Sequence, residues 1–367
     1  MAKKDFIFNV TTLAGCKYSI LKDLEENYQV EKAYRMKYNL SKLASLVITG
    51  LAYFDDLRYR SMSKDMEIKK DPIYVLGHWR SGTTFLHQLL CSFDDVSYPT
   101  TYQTVFPNNL FFLQGLLKRI MKYYLPEKRL VDKVQMHVDF PQEEDFALGN
   151  EVGFSFYYWF YFPDDYKRIR EEHLTLSKVD ETKRKAYMEG YRRFIKRSLL
   201  YVKGSQYIAK NPPNMARIPF LLEMFPESRF VYIERNPYEV LFSTFKFFKG
   251  FLITLQLQEI SDDDLWEFIF SNYRMMYEIY QTDKLSIPND HRVELKYEDL
   301  TGDPGSVLKM LQKGLLYDLN PNDSKLSSML EAHQKHAPNT YDFKNGYVER
   351  VNSELGGLIE KQGYKLL

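Results

Sequence analysis

The stretch GHWRSGTT, Gly77 to Thr84, comes directly after the short apolar run IYVL, residues 73 to 76. An apolar run with β-branched residues that stops at a glycine predicts a strand. From Thr83 onwards apolar residues recur at helical spacing, so the sequence predicts a strand, a tight loop and a helix. Such a loop points backbone N–H groups at one spot, where the helix N-terminus adds positive potential. The stretch therefore predicts an anion-binding loop.

The loop lacks the lysine of a nucleoside-triphosphate-binding loop. Gly77 and Gly82 have the Walker spacing, but Thr83 stands at the lysine position and Arg80 lies inside the loop. The planar, permanently charged guanidinium of Arg80 suits phosphate or sulfate oxygens, and the loop adds three hydroxyl groups, Ser81, Thr83 and Thr84. A P-loop kinase or NTPase using ATP and Mg²⁺ stays an alternative, although the missing lysine counts against it.

Three later segments predict further strands of the same sheet. SRFVYIERNP, residues 228 to 237, ends its apolar run at Glu234-Arg235, and Pro237 opens a helix. SQYIAKNPPN, residues 205 to 214, ends at Lys210, and HRVELKYEDL covers residues 291 to 300. Helices separate these strands, which predicts an α/β fold with a P-loop-like parallel sheet flanked by helices. In such folds ligands bind at the carboxyl ends of strands, where Arg235 and Lys210 stand.

The chain before the loop has a different pattern. Apolar residues between 17 and 70 recur at three- and four-residue spacing amid charges, and no proline occurs before Pro72. This pattern predicts an N-terminal helical arm over residues 1–70. Residues 71–367 are expected to form one domain, compact with the arm.

The amino-acid composition argues against several classes of protein. The net charge of +1 over 367 residues gives no field that favours nucleic acid. Two cysteines, Cys16 and Cys91, make neither a disulfide framework nor a zinc site, which favours the reducing cytoplasm. No run of about 18 apolar residues predicts a membrane-spanning helix.

Two longer motifs carry a family resemblance. GHWRSGTTFLHQLL and FVYIERNPYEVLFSTF together resemble the sulfotransferase family, which uses 3′-phosphoadenosine 5′-phosphosulfate (PAPS). The form RSGTT is similar to the bacterial and tyrosylprotein-like branch. PQEEDFAL, residues 141 to 148, and KYEDLTGDP, residues 296 to 304, resemble further elements of the family, and the resemblance runs from about residue 72 to about residue 317. RNP replaces the commoner RDP, and KNP replaces KSP, without loss of a required charge.

The resemblance implies roles for individual residues. The first motif would hold the 5′-phosphosulfate through Trp79, Arg80, Ser81, Gly82, Thr83 and Thr84. Arg235 and Ser243 would hold the 3′-phosphate, and Lys210 would be a second cation near the sulfuryl group. Glu143 is the first candidate for the general base, with Glu144 the close alternative because the acidic element reads Glu-Glu-Asp; His87 and His137 are weaker candidates. The product would be adenosine 3′,5′-bisphosphate, and no step needs a metal.

The acceptor is less well defined. The aromatic stretch 151–163 and the apolar region 105–126 favour a hydrophobic alcohol such as a sterol or a lipid, although aromatic residues also stack on sugars. Residues 105–126 are typical either of a basic amphipathic helix at a membrane surface or of a buried helix with a solvated edge. A non-catalytic binding module is a further alternative, against which the complete set of cofactor residues counts.

Overall fold

The computed structural model describes residues 10–128, 136–334, 343 and 346–367. In chain order its strands are β1 (Ile73–Leu76), β2 (Val96–Ser97), β3 (Gln206–Lys210), β4 (Arg229–Glu234) and β5 (Arg292–Lys296). Its helices are α1 (Tyr18–Asn27), α2 (Arg35–Met62), α3 (Thr83–Leu90), α4 (Thr101–Val105), α5 (Gln114–Tyr124), α6 (Asp145–Val152), α7 (Tyr166–His173), α8 (Glu181–Val202), α9 (Ile218–Met224), α10 (Pro237–Leu255), α11 (Asp262–Asp283), α12 (Tyr297–Gly302), α13 (Pro304–Gly314), α14 (Asp323–Gln334) and α15 (Tyr347–Lys361).

The strands form one sheet in the order β2-β3-β1-β4-β5. β1 pairs with β4 in parallel, with Ile73 opposite Arg229, and β4 pairs with β5 in parallel, with Phe230 opposite Arg292. All residues of β1 are buried, which is typical of an unbroken apolar strand in a parallel sheet. The four predicted strands and the α/β fold are confirmed. The two-residue strand β2 is too short to leave a sequence pattern.

The chain divides into two compact units. The first comprises Met1–Lys70, Ser97–Ala209 and Phe247–Ser261, and the second comprises Asp71–Val96, Lys210–Lys246 and Asp262–Leu367. The predicted helical arm corresponds in the described residues to α1 and α2, which pack against each other within the first unit. The loop after β1 and the end of β4 both belong to the second unit.

Aromatic side chains fill the interior of the first unit. Residues Phe156–Phe160 form a 3₁₀ helix whose side chains are all buried. The Trp159 ring lies 4.2 Å from that of Phe160 and 4.7 Å from that of Phe248, and the Phe146 ring lies 4.6 Å from that of Tyr157. The aromatic side chains of residues 151–163 therefore belong mostly to the hydrophobic core, because edge-to-face and tilted packing removes their rings from solvent.

The region 105–126 contains one helix that is shorter than the sequence pattern suggested. α4 ends at Val105, residues 106–113 are irregular, and only α5 is helical. Leu117 on α5 is buried, whereas Leu116, Ile120 and Tyr123 are exposed. α5 thus packs on the protein through one side and exposes apolar residues on the other. None of the helices in the described ranges combines the length and the apolar character that crossing a bilayer requires.

Candidate functional site

The loop between β1 and α3 has the tight geometry that the sequence predicted. Gly77 has a φ of 152°, Gly82 caps α3 with a φ of 96°, and Arg80 itself adopts a left-handed φ of 69°. A left-handed conformation is unusual for a residue other than glycine and marks a constrained turn. Arg80 and Thr84 are half-buried, so both side chains stay accessible at the start of α3.

Both glycines of the loop are required for two reasons: their φ angles are positive, and neither position has room for a Cβ atom. A Cβ at Gly77 would lie 2.5 Å from the carbonyl oxygen of Ile233, and a Cβ at Gly82 would overlap the ring of Tyr297. Tyr297 opens α12 and belongs to the KYEDL segment. Its ring therefore packs against the loop at Gly82, which gives that segment a structural role.

The two arginine motifs converge in the second unit. Arg80 Nε donates to Ser243 Oγ at 2.9 Å, and Arg235 Nη1 donates to the carbonyl oxygen of Arg80 at 3.4 Å. The guanidinium of Arg235 also lies 4.4 Å from the centre of the Tyr297 ring and forms an ion pair with Glu239. β1 and β4 are neighbouring parallel strands, so their carboxyl ends meet at one edge of the sheet. The structure thereby gathers Arg80, Arg235 and Ser243 into one cationic cluster.

Other loop side chains brace the backbone. Trp79 and Ser81 are buried, and Ser81 Oγ donates to the carbonyl oxygen of His78 at 2.7 Å. His78 Nδ1 bonds to the carbonyl oxygen of Trp79 at 3.0 Å, and the Thr244 hydroxyl donates to the same oxygen at 3.4 Å. Complete burial lowers the pKa of His78 to about 4, so this imidazole is neutral at physiological pH.

A small pocket lies beside this cluster at the carboxyl end of β4. It is lined in part by His78, Ser81, Glu234, Arg235, Tyr273 and Gln362. Burial raises the pKa of Glu234, and the nearby Lys296 partly opposes that shift. Arg235 Nε and His78 Nε2 are both buried and have no hydrogen-bond partner among the residues that the structure describes. Polar atoms of this kind are unusual unless a ligand or water completes them.

Lys210 ends β3 and is 3% exposed, so it is not a surface lysine. Cys91 lies near it. Burial raises the pKa of the Cys91 thiol well above its usual range, while the Lys210 charge opposes that shift. A buried ammonium group at a strand end is stable only beside polar or anionic groups, because desolvation penalises its charge.

The acidic segment PQEEDFAL belongs to the first unit, where each of its three carboxylates has a different environment. Glu144 is fully buried and accepts hydroxyl hydrogen bonds on both oxygens, from Tyr191 at 2.5 Å and from Tyr207 at 2.9 Å. Glu143 is only half-buried and accepts from Tyr157 at 2.5 Å. The third, Asp145, is also fully buried and accepts from the Ser155 hydroxyl and from the Tyr157 amide.

Sequence reasoning missed two residues that contact the cationic cluster. Glu239 stands four residues after Arg235 on α10, a spacing that places opposite charges side by side on a helix and was a usable signal. Tyr297 carries no such signal, because nothing local indicates that its ring meets a loop more than two hundred residues earlier in the chain.

Comparisons with known proteins agree with this geometry. A family model described as the sulfotransferase family matches residues 72–320. The omega-hydroxy-beta-dihydromenaquinone-9 sulfotransferases Stf3 of Mycobacterium bovis and of Mycobacterium tuberculosis are 29% identical over 321 residues, which is 87% of this chain and 82% of theirs.

Two solved structures share the fold. Sulfotransferase STF9 of Mycobacterium avium superposes with a TM-score of 0.66 at 14% identity, covering 96% of this chain and 98% of its own. Sulfotransferase STF1 of Mycobacterium tuberculosis gives a TM-score of 0.65 at 16% identity, covering 92% and 90%. The kinase alternative gains no support from any of these matches. The family match over most of the chain, together with the two arginine motifs, shows that this protein is an enzyme that belongs to the sulfotransferase family.

Proposed function

We propose that the protein transfers a sulfuryl group from PAPS to the hydroxyl group of a hydrophobic, lipid-like alcohol, without a metal. One observation carries the cofactor assignment: the Arg80 side chain bonds to Ser243, and the Arg235 side chain bonds to the Arg80 carbonyl. The residue expected to bind the 5′-phosphosulfate is therefore linked directly to both residues expected to bind the 3′-phosphate. A ligand with two separated anionic groups fits such an arrangement better than a triphosphate does.

The residues present fit this ligand. The loop between Gly77 and Gly82 has no room for a Cβ at either end, so its backbone can approach an anion closely. The buried Arg235 Nε without a partner among the described residues is a donor that a phosphate oxygen would complete. PAPS, when bound, supplies an activated sulfuryl group and a stable bisphosphate leaving group.

The side chains of the site have separate roles in transfer and in recognition of the donor. Arg80, the positive N-terminus of α3 and the hydroxyls of Thr83 and Thr84 place positive charge and hydrogen-bond donors where negative charge develops during transfer. Arg235 and Ser243 recognise the 3′-phosphate, which distinguishes the donor from ATP. Lys210 adds a cation at another strand end, and burial strengthens its field because little water screens it.

Glu143 is the better candidate for the general base. A base must reach the acceptor hydroxyl, and Glu143 keeps part of its surface accessible. Glu144 is fully enclosed, and two tyrosine hydroxyls occupy its two oxygens, so it is better placed to hold Tyr191 and Tyr207 than to take up a proton. The tyrosine bonded to Glu143, Tyr157, orients that carboxylate.

The lipid acceptor is inferred from the relatives. The name of the Stf3 proteins places the acceptor hydroxyl on a menaquinone derivative, and the match covers most of both chains. An acceptor of this chemical class, a hydroxyl on a long apolar molecule, agrees with the hydrophobic alcohol that the sequence favoured over a sugar.

Ligand binding and transfer test this proposal separately. Thermal unfolding would be followed with adenosine 3′,5′-bisphosphate and, in parallel, with ATP and Mg²⁺. A ligand at about one hundred times its Kd stabilises the folded state by about 2.7 kcal/mol. We expect this shift with the bisphosphate in the wild type and in the control Arg274→Ala, whose side chain forms a half-exposed ion pair, and a much smaller shift in Arg235→Ala.

A shift with ATP and Mg²⁺ alone would overturn the cofactor assignment. Transfer from radiolabelled PAPS to a polyprenyl alcohol and to a free hexose then tests the acceptor class. We expect label in the polyprenyl product, and label in the hexose alone would show that the acceptor is a sugar.

A further inference from the structure

Helix α2 exposes an apolar face along most of its length. Between Asn39 and Leu57 its exposed side chains are uncharged, and the large ones are Leu40, Leu43, Leu46, Val47, Tyr53, Phe54 and Leu57. Most of them recur at three- or four-residue spacing and so share one side of the helix. At about 1.5 Å per residue this apolar face is roughly 27 Å long.

The orientation of α2 is fixed by hydrogen bonds on its opposite side. Ser41 Oγ accepts from the Thr11 amide at 3.0 Å, and Ser45 Oγ donates to the Cys16 carbonyl at 2.8 Å. Both serines are fully buried, as is Asp55 further along the same helix. A surface helix of a globular protein normally buries its apolar stripe and exposes its polar one. In α2 the inward side mixes polar and apolar residues, because Ser41, Ser45 and Asp55 are buried beside Tyr38, Ile48, Ala52 and Tyr59, while leucines and a valine face outward.

Helix α5 extends the same surface. Phe54 stacks on Phe112 with ring centres 5.2 Å apart, and Asp55 Oδ1 accepts the backbone amides of Phe111 at 2.6 Å and Phe112 at 2.7 Å. These contacts hold the segment before α5 beside α2. The exposed apolar side chains there are Leu113, Leu116, Ile120 and Tyr123. Together with the exposed face of α2 they form what we call the apolar surface of the first unit.

Most of the strongly exposed large apolar side chains in the described ranges belong to this surface. Contiguous exposed apolar patches of more than a few hundred Å² are uncommon on soluble monomers and mark interaction sites. Neither α2 nor α5 itself carries an exposed acidic side chain, although the exposed Asp65 follows α2 and the exposed Glu127 follows α5. The two acids of α2 are Asp55, buried against Arg197, and Asp56, bonded to Arg197 at 3.1 Å.

The edges of the apolar surface are cationic. Arg58 and Arg60 are exposed where α2 ends, and Arg119 and Lys122 are exposed on α5, which has no acidic residue. Apolar side chains bordered by cations complement a bilayer with anionic headgroups, because the side chains enter the acyl boundary while the cations meet phosphate. A second copy of this chain would instead bring the same cations against each other.

We infer that α2 and α5 dock the protein on an anionic lipid bilayer, with both helices lying in the plane of the interface. Residues 105–126 alone were the sequence candidate for such contact, and the structure adds the longer α2 as the main element. The inference concerns attachment and does not depend on the proposed acceptor, because binding to lipid can be measured without any transfer reaction.

Flotation of the full-length protein with vesicles tests this inference. The vesicles would consist of phosphatidylcholine mixed with phosphatidylglycerol or of phosphatidylcholine alone. The variant Leu43→Gln/Val47→Gln removes two side chains that are 63% and 60% exposed on the apolar surface. Its matched control is Leu285→Gln/Met310→Gln, which removes two side chains that are 78% and 44% exposed outside the apolar surface.

We expect the wild type and the control to float with the mixed vesicles. The Leu43→Gln/Val47→Gln variant should partition at least about tenfold less, because each side chain loses its transfer from water to the acyl boundary. Arg119→Gln and Lys122→Gln should each weaken partition about fivefold on the mixed vesicles and hardly at all on phosphatidylcholine alone. All four substitutions are at exposed positions, so circular dichroism and the melting temperature should match the wild type.

Three results would overturn the inference. One is a wild type that floats with neither kind of vesicle, and another is a Leu43→Gln/Val47→Gln variant that floats as well as the control does. The third is a wild type that sediments as a dimer and becomes a monomer in that variant, which would make a second copy the occupant of the surface.

Discussion

Replacing Glu144 by glutamine should destabilise the protein much more than it slows transfer, and replacing its neighbour Glu143 should do the reverse. The reason is the different surroundings of the two carboxylates. Glu144 is fully buried and accepts bonds from two tyrosine hydroxyls, whereas Glu143 is half-buried and accepts from the hydroxyl of Tyr157. Because they are adjacent in the chain, each serves as the matched control for the other.

The magnitudes follow from the hydrogen bonds. A bond to a charged group contributes about 1.5–3 kcal/mol, and a buried donor left without its acceptor is penalised further. Glutamine at position 144 keeps one acceptor oxygen but turns an amide N–H₂ towards the other tyrosine hydroxyl. We expect the free energy of unfolding to fall by about 2–4 kcal/mol in Glu144→Gln, and by about 1 kcal/mol in Glu143→Gln.

Catalysis should respond in the opposite order. Removing a general base typically lowers the rate about 10²- to 10⁴-fold, and we expect a loss of that size in Glu143→Gln. Glu144→Gln should keep most of its turnover at a temperature well below its melting point. Urea unfolding followed by circular dichroism gives the stabilities, and transfer from radiolabelled PAPS gives the rates.

The opposite pattern would refute this assignment. A stable Glu144→Gln protein without transfer activity, beside an active Glu143→Gln protein, would make Glu144 the base and Glu143 the anchoring residue. Loss of activity in both variants at full stability would mean that the two carboxylates act as a pair.

Three further results are expected from the loop after β1 and the cationic cluster beside it. His78 has a pKa of about 4 in the folded protein against about 6.5 in the unfolded chain. Between these values the unfolded state binds more protons than the folded state. The free energy of unfolding should therefore fall by about 3 kcal/mol as the pH drops through that window. Gly82→Ala should lower both the melting temperature and bisphosphate affinity, because its φ of 96° and the Tyr297 ring beside its Cβ position leave no room for a methyl group. Glu239→Gln should tighten adenosine 3′,5′-bisphosphate binding about fivefold, because the ion pair that competes for Arg235 is then lost.

Each of these three has its own control. His78→Gln should flatten the pH dependence of the melting temperature, and an unchanged slope would assign it to other groups. Gly302→Ala, at a helical site with nothing within 4 Å of the new Cβ, should be neutral or slightly stabilising. Calorimetric titration of Glu239→Gln that shows weaker bisphosphate binding would mean that Glu239 positions Arg235 instead of competing for it.

The local part of the fold could be predicted from the sequence. The run from Ile73 to Leu76 predicted β1, the glycine spacing after it predicted the loop, and Pro237 marked the start of α10. These predictions succeed because backbone conformation there depends on neighbouring residues: β-branched side chains, a glycine with positive φ, and a proline in the first turn of a helix. The end of α10 at Leu255 has no such local signal, since a helix end depends on packing as well as on propensity.

The roles of Glu143 and Glu144 could not be separated from the sequence. The partners that enclose Glu144 lie 47 and 63 residues away, on α8 and β3. Likewise the periodicity of α2 showed an amphipathic helix but not which side faces outward. That is decided by hydrogen bonds to the chain about thirty residues earlier, in which Ser41 accepts from Thr11 and Ser45 donates to Cys16.

The sequence by itself determined the strand, loop and helix that present Arg80, and the family to which the chain belongs. These features depend on residues that are neighbours in the chain. Only the tertiary structure decided that Arg80 meets Ser243 across 163 residues, that Glu144 is enclosed while Glu143 is accessible, and that α2 turns leucines towards solvent. Contacts between distant residues depend on how the whole chain packs, and a local pattern does not contain that information.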